Sequence, residues 1–117
     1  MKNYGFFFLF ALALYSCDEV QKSDELISKS PDGKAEISIK GTKSNFADPW
    51  ETTIKISGYG HDQSAELELY PKKLNKEAVT FNWQTNNLCK VVVTELDNSP
   101  RTLVIEILPE KLDLHEE

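Results

Sequence analysis

Apolar side chains recur at every second position along most of this chain, the period that a strand with one buried face requires. Ala35, Ile37 and Ile39 alternate with Glu36, Ser38 and Lys40, while Trp50, Thr52, Ile54 and Ile56 alternate with Glu51, Thr53, Lys55 and Ser57. Ala65, Leu67 and Leu69 face away from Glu66, Glu68 and Tyr70, and Val79, Phe81 and Trp83 face away from Thr80, Asn82 and Gln84. Two further strands are expected over residues 88–94 and 102–108. Helical spacing is absent, and residues 71–78 read as a loop.

The punctuation between these runs suits antiparallel neighbours. Pro31-Asp32-Gly33 opens the first strand with turn chemistry, and Gly58-Tyr59-Gly60-His61-Asp62 separates the second from the third. Thr85-Asn86-Asn87 reads as a tight hairpin turn in which Asn tolerates positive φ, and Asp97-Asn98-Ser99-Pro100 as another. The fold class expected is all-β, a six-stranded antiparallel meander over residues 31–108, closed as a sandwich, a roll or a half-barrel. Residues 109–117 read as an acidic tail with Leu112 and Leu114 laid against the sheet.

The first residues follow a different logic. One positive charge at Lys2 precedes ten apolar residues, 6–15. As a helix these span roughly 15 Å, about half of a hydrocarbon core, too short for a permanent transmembrane helix. A basic start, a short apolar core and a small residue at its end match a cleaved secretory signal. Leu14-Tyr15-Ser16-Cys17 resembles the lipobox of bacterial lipoproteins, in which an aliphatic residue, a tolerant position and a small residue precede an obligatory Cys. That resemblance implies a signal peptide over 1–16 and lipid, palmitate included, on Cys17. It implies a place in the bacterial cell envelope, with the membrane as partner through that lipid. At about 0.8 kcal/mol per buried methylene, two or three acyl chains anchor stably where one binds reversibly. Residues 17–30 then read as the lipidated Cys and a polar tether. The acidic pair Asp18-Glu19 resembles lipoprotein sorting signals, which in some bacteria retain the protein at the inner membrane and in others send it to the surface. The outer membrane or cell surface is favoured.

Composition bounds the partners. The chain carries 13 basic and 19 acidic side chains, and losing Lys2 with the signal leaves 12 against 19, a net charge of −7. Such a surface disfavours nucleic acid and anionic lipid head groups. Half of the aromatic residues, Tyr4, Phe6, Phe7, Phe8, Phe10 and Tyr15, leave with the signal. With Cys17 lipidated, Cys89 has no partner for a disulfide and reads as a small buried hydrophobe.

A second resemblance concerns the domain. Ser30-Pro31-Asp32-Gly33-Lys34 entering a strand is similar to the turn of WD40-like and TolB-like propeller blades, and Phe81-Asn82-Trp83 before an Asn-Asn turn resembles the following blade. The same pattern is similar to small bacterial lipoprotein domains carrying one Ser-Pro-Asp-Gly-Lys strand and a later tryptophan strand. A propeller needs at least four blades and this chain has room for about two, so the resemblance implies a β-meander and no function.

Little catalytic chemistry is visible. His61 and His115 are the only near-neutral bases, and neighbours such as His61 and Asp62 point to opposite sides of an extended chain. No zinc, thiol-pair, nucleophile-elbow or phosphate-loop motif occurs, so neither an enzyme nor a cofactor or metal site is expected. Trp50 and Tyr59 at strand ends, with Trp83 nearer the core, form the candidate ligand-binding platform. The function expected is a membrane-anchored envelope lipoprotein whose β domain binds a protein partner, as an accessory, inhibitor or immunity-type module. The alternative is a surface protein that binds a glycan or small ligand. Replacing Cys17 by Ala is expected to abolish labelling with radioactive palmitate and to block signal removal, both read from the processed fraction on a gel.

Overall fold

The computed structural model describes residues 20–45 and 47–117, so the expected signal peptide over 1–16, the expected lipid attachment at Cys17, and Phe46 lie outside the described residues. Within them the chain is all-β, with nine strands rather than six. They are β1 (Gln21–Lys22), β2 (Leu26–Lys29), β3 (Glu36–Lys43), β4 (Trp50–Gly58), β5 (His61–Leu69), β6 (Val79–Thr85), β7 (Leu88–Thr94), β8 (Pro100–Ile107) and β9 (Leu112–Glu116). The six expected strands are β3 to β8. The three others lie in the segments read as tether and tail. β2 places Leu26 beside Ile39 and Ser28 beside Ile37, and β9 places Leu112 beside Ile107 and Leu114 beside Ile105. Each thus covers an otherwise open flank of the core, a gain from pairing that two apolar residues in a polar segment do not announce.

Two antiparallel sheets result. In the first, β1 and β2 both pair with β3, which pairs with β4, and β4 with β5; in the second the order is β6-β7-β8-β9. Register follows the alternation, with Ile37 opposite Ile56, and Ile39 opposite Ile54, which faces Ala65. The inward residues of both sheets form one apolar cluster, so the meander closes as a sandwich. Residues 71–78 carry no strand or helix and take the chain from β5 to β6.

Cross-sheet hydrogen bonds fix which strands lie over which. Trp83 Nε1 donates to Ser28 Oγ at 2.9 Å, so β6 covers β2. Arg101 Nη1 donates to the Glu68 carbonyl at 2.7 Å, and His61 Nε2 bonds the Leu108 carbonyl, so β8 and its exit cover the β5 side. The sandwich consequently has two ends. At one, here the Asn86 end, lie the turns at 30–35, 59–60, 85–88 and 108–111. At the other, the Leu96 end, lie 44–45, 47–49, 70–78 and 95–99, together with the entry of the chain at Val20.

The turns differ in how they make their bend. Tyr59 and Gly60 both have positive φ, 52° and 83°, the signature of a two-residue hairpin whose twist matches its strands. This lets the ladder run from Gly58 opposite His61, through polar residues that were expected to be loop. At Asn86-Asn87 the expectation of positive φ does not hold: outside glycine, the described residues reach it at Tyr59 and Asn98. A register shift between Trp83 and Thr85 supplies the extra residue there, and the twist comes from that irregularity instead.

Gly58 is required by both conformation and space. Its φ is +140°, and a Cβ there would lie 2.8 Å from Ala35 Cα and Cβ. Gly60, at φ +83°, has nothing within 4 Å of the same position. Gly58→Ala is expected to lower unfolding stability in urea by about 3 kcal/mol, combining strain and overpacking. Gly60→Ala is expected to cost about 1 kcal/mol, from conformation alone.

Candidate functional site

The Asn86 end is built around one carboxylate. The Ser30 N–H donates to the Ala35 carbonyl at 2.9 Å and the Gly33 N–H to the Ser30 carbonyl at 2.8 Å, closing the turn that Pro31 and Gly33 permit. The Ser30 hydroxyl accepts the Ala35 N–H at 3.0 Å and donates to Asp32 Oδ1 at 2.6 Å; Oδ1 also accepts the Lys34 N–H at 3.0 Å. The other oxygen, Oδ2, accepts the Tyr59 hydroxyl at 3.0 Å, and the Asp32 N–H donates to Asn86 Oδ1 at 3.1 Å. Three turns from two sheets are tied through a single side chain and its own amide. The Ser30 hydroxyl, then the Lys34 amide, hold the Asp32 carboxyl below the usual carboxylate value. Tyr59 moves the other way, raised first by desolvation and then by the bond to Asp32.

The three aromatic candidates do not share one surface. Trp50 is 4% exposed and belongs to the core, with the Lys43 ammonium 5.8 Å from its ring centroid. Its indole N–H is buried with no acceptor among the described residues. Tyr59 lies past the other end of β4, a nine-residue strand of about 30 Å. Tyr59 and Trp83 share the Asn86 end, yet both rings pack partly on the core and both polar tips are engaged, by Asp32 and Ser28. Cys17 lies outside the described residues.

His61 begins β5 half-buried, and because a carbonyl can only accept, its bond to Leu108 places the hydrogen on Nε2. Asp62 follows it on the opposite, exposed face, so the two do not converge. His115 is exposed on β9 with Nδ1 2.8 Å from Asp113 Oδ2. Cys89 is buried, and burial pushes its thiol up to about 11, leaving no thiolate at neutral pH. Among the described residues no group of His, Cys, Asp and Glu could hold a metal ion, and no helix is long and apolar enough to cross a membrane.

What remains distinctive is the free edge of β5. In a two-residue hairpin the closing pair, Gly58 and His61, exchanges both backbone bonds, which turns residues 61, 63, 65, 67 and 69 toward β4. Residues 62, 64, 66, 68 and 70 therefore aim their N–H and C=O away from the sheet. Two observations agree: the Glu68 carbonyl accepts from Arg101, and the Tyr70 N–H donates to Glu95 Oε2 at 2.8 Å. Among the described residues the edge is thus capped at 68 and 70, and bare over Asp62, Ser64 and Glu66, all exposed. An open groove of about 360 Å³ runs over β4 and β5 beside it, lined by Glu51, Thr53, Glu66 and Glu68 among others.

Sequence reasoning passed over this edge because edge position is a property of the sheet, not of a residue. It also passed over Leu96, which is 62% exposed, and Tyr70 beside it. An apolar residue set between Glu95 and Asp97 in turn chemistry was the available signal. No known protein family, curated protein or solved structure matches the chain.

Asp32 gives a pH dependence of defined sign. A carboxyl whose folded value is depressed contributes stability in full above its unfolded value, 3.8, and loses that contribution as pH falls through the lower, folded value. Unfolding midpoints measured between about pH 6 and pH 2 are expected to fall below about pH 4. Asp32→Asn is expected to flatten that decline without abolishing it, because hydrogen bonds from Ser99 lower Asp97 in the same direction.

Proposed function

We propose that this chain is an envelope lipoprotein, held to a membrane through Cys17, whose sandwich is a non-enzymatic protein-binding module that receives a partner strand along β5. The observation supporting it is the bare edge at Asp62, Ser64 and Glu66, three residues whose backbone groups point out of the sheet. Strand addition satisfies those groups with main-chain bonds, and neighbouring side chains select the sequence. Here they select by charge. Asp62 and Glu66, with Glu68 beyond them, lie on one face of β5, so an added strand placing Lys or Arg on that face gains opposite-charge cross-strand pairs. An accessory, inhibitor or immunity-type protein with an extended basic segment fits this chemistry. The edge, rather than the aromatic platform, carries the reading because Trp50 is buried and the polar tips of Tyr59 and Trp83 are bonded within the domain.

Proline distinguishes an edge that binds from an edge that is merely open. The Ser64 N–H points away from β4, so Ser64→Pro removes an outward donor while sparing the β4 ladder. Crosslinking in native membranes, followed by mass spectrometry, is expected to recover a partner with the unaltered chain and lose it with Ser64→Pro, at nearly unchanged melting temperature. Equal recovery with the folded variant would sink strand addition at this edge.

A further inference from the structure

The segment expected to hold the domain away from the membrane is built into the sandwich. Lys22 pairs with Thr42 and Gln21 with Lys43, and residues 26–29 continue along β3 to the Asn86 end. Only residues 18–20 stand between Cys17 and β1. At no more than about 3.6 Å per residue, Gln21 lies within roughly 14 Å of Cys17 whatever path the chain takes.

The end at which the chain enters has a surface of its own. Leu96 N–H donates to the Tyr70 carbonyl at 2.9 Å, joining the 95–99 turn to the 70–78 crossover. Among the described residues four large apolar side chains are exposed, and three of them, Val20 (45%), Tyr70 (45%) and Leu96 (62%), lie at this end. The fourth, Ile27, lies on β2. Grooves of about 300 and 370 Å³ flank Leu96, with Lys72 and Lys73 lining one and Asp97 the other. A third, of about 230 Å³, is lined by Lys22, Asp24 and Lys73. Charge of both signs around a few exposed apolar tips complements a zwitterionic headgroup, which offers a phosphate to the lysines and an ammonium to the carboxylates.

Resting on the Cys17 anchor proposed above, we infer that the Leu96 end is seated on the zwitterionic phospholipid headgroup layer of the membrane that holds the lipid, with Leu96 and Tyr70 at the interface. The strands then run away from the bilayer, and the Asn86 end stands about 30 Å out, the length of a nine-residue strand. The acidic balance of the whole chain does not oppose this, because the contact is apolar and zwitterionic rather than anionic.

The test uses the full lipidated chain on phosphatidylcholine vesicles containing a headgroup-nitroxide lipid. Leu96→Cys and Asn86→Cys are each labelled with an environment-sensitive fluorophore, buried Cys89 staying unreactive. The label at 96 is expected to lose most of its emission and the label at 86 to keep it. Equal quenching, or stronger quenching at 86, overturns the orientation while leaving the anchor intact. A lipidated preparation that does not float with vesicles overturns the anchor, and the orientation with it. Because a label alters the patch, amide exchange of the unaltered chain provides a second measurement. Relative to the unlipidated chain of residues 17–117 in solution, exchange on vesicles should slow several-fold at 71–78 and 95–99 and stay constant at 85–88; no slowing overturns the proposal.

Discussion

Each sheet has one face that water rejects, and among the described residues that face is covered by the corresponding face of the other sheet. Ile37, Ile39, Ile54 and Ile56 from the first and Val91, Val93, Leu103, Ile105 and Ile107 from the second are all essentially sealed from solvent. At roughly 1.5–3 kcal/mol for each such side chain, this mutual burial is the main favourable contribution, and it exists only when both sheets are present. Among the described residues no disulfide assists, the cysteine there being the free, buried Cys89. Formation is therefore cooperative: β3 and β4 need β7 and β8 as much as they need each other.

With an interior this apolar, the side-chain hydrogen bonds that tie one sheet to the other lie at the margins, where they settle alignment. The bond from Trp83 to Ser28 fastens one long side, and Arg101 fastens the other, bonding Glu116 and the Glu68 carbonyl at once. Asp32 fastens an end. These contacts are individually modest, and their importance lies in direction: fixed donors and acceptors at three margins favour one alignment of the two packed faces over others.

The six strands β3 to β8 were legible because a period of two over five or more residues has one physical meaning, and the turn residues between them say where it stops. β2 and β9 were not, since Leu26-Ile27 and Leu112-Asp113-Leu114 are too short to outweigh their polar neighbours until a core with an open flank exists. Trp50 shows a different gap. Its place at the start of a strand was readable, but its burial depends on what lies over it. The bare stretch of β5 belongs to the same class: nothing in Asp62-Gln63-Ser64 says that β5 ends the first sheet among the described residues. Cys17 is the reverse case, a residue whose proposed role is read entirely from its neighbours in sequence.

One consequence of the way β1 and β2 join β3 concerns mechanical load. The chain enters at the Leu96 end and runs antiparallel to β3 for most of its length. Tension applied ahead of Gln21 therefore pulls along the strand axis, and loads the rungs of that ladder together in shear instead of peeling them one at a time. A domain mounted this way resists drag on its anchor through geometry, with a ladder of only six paired positions.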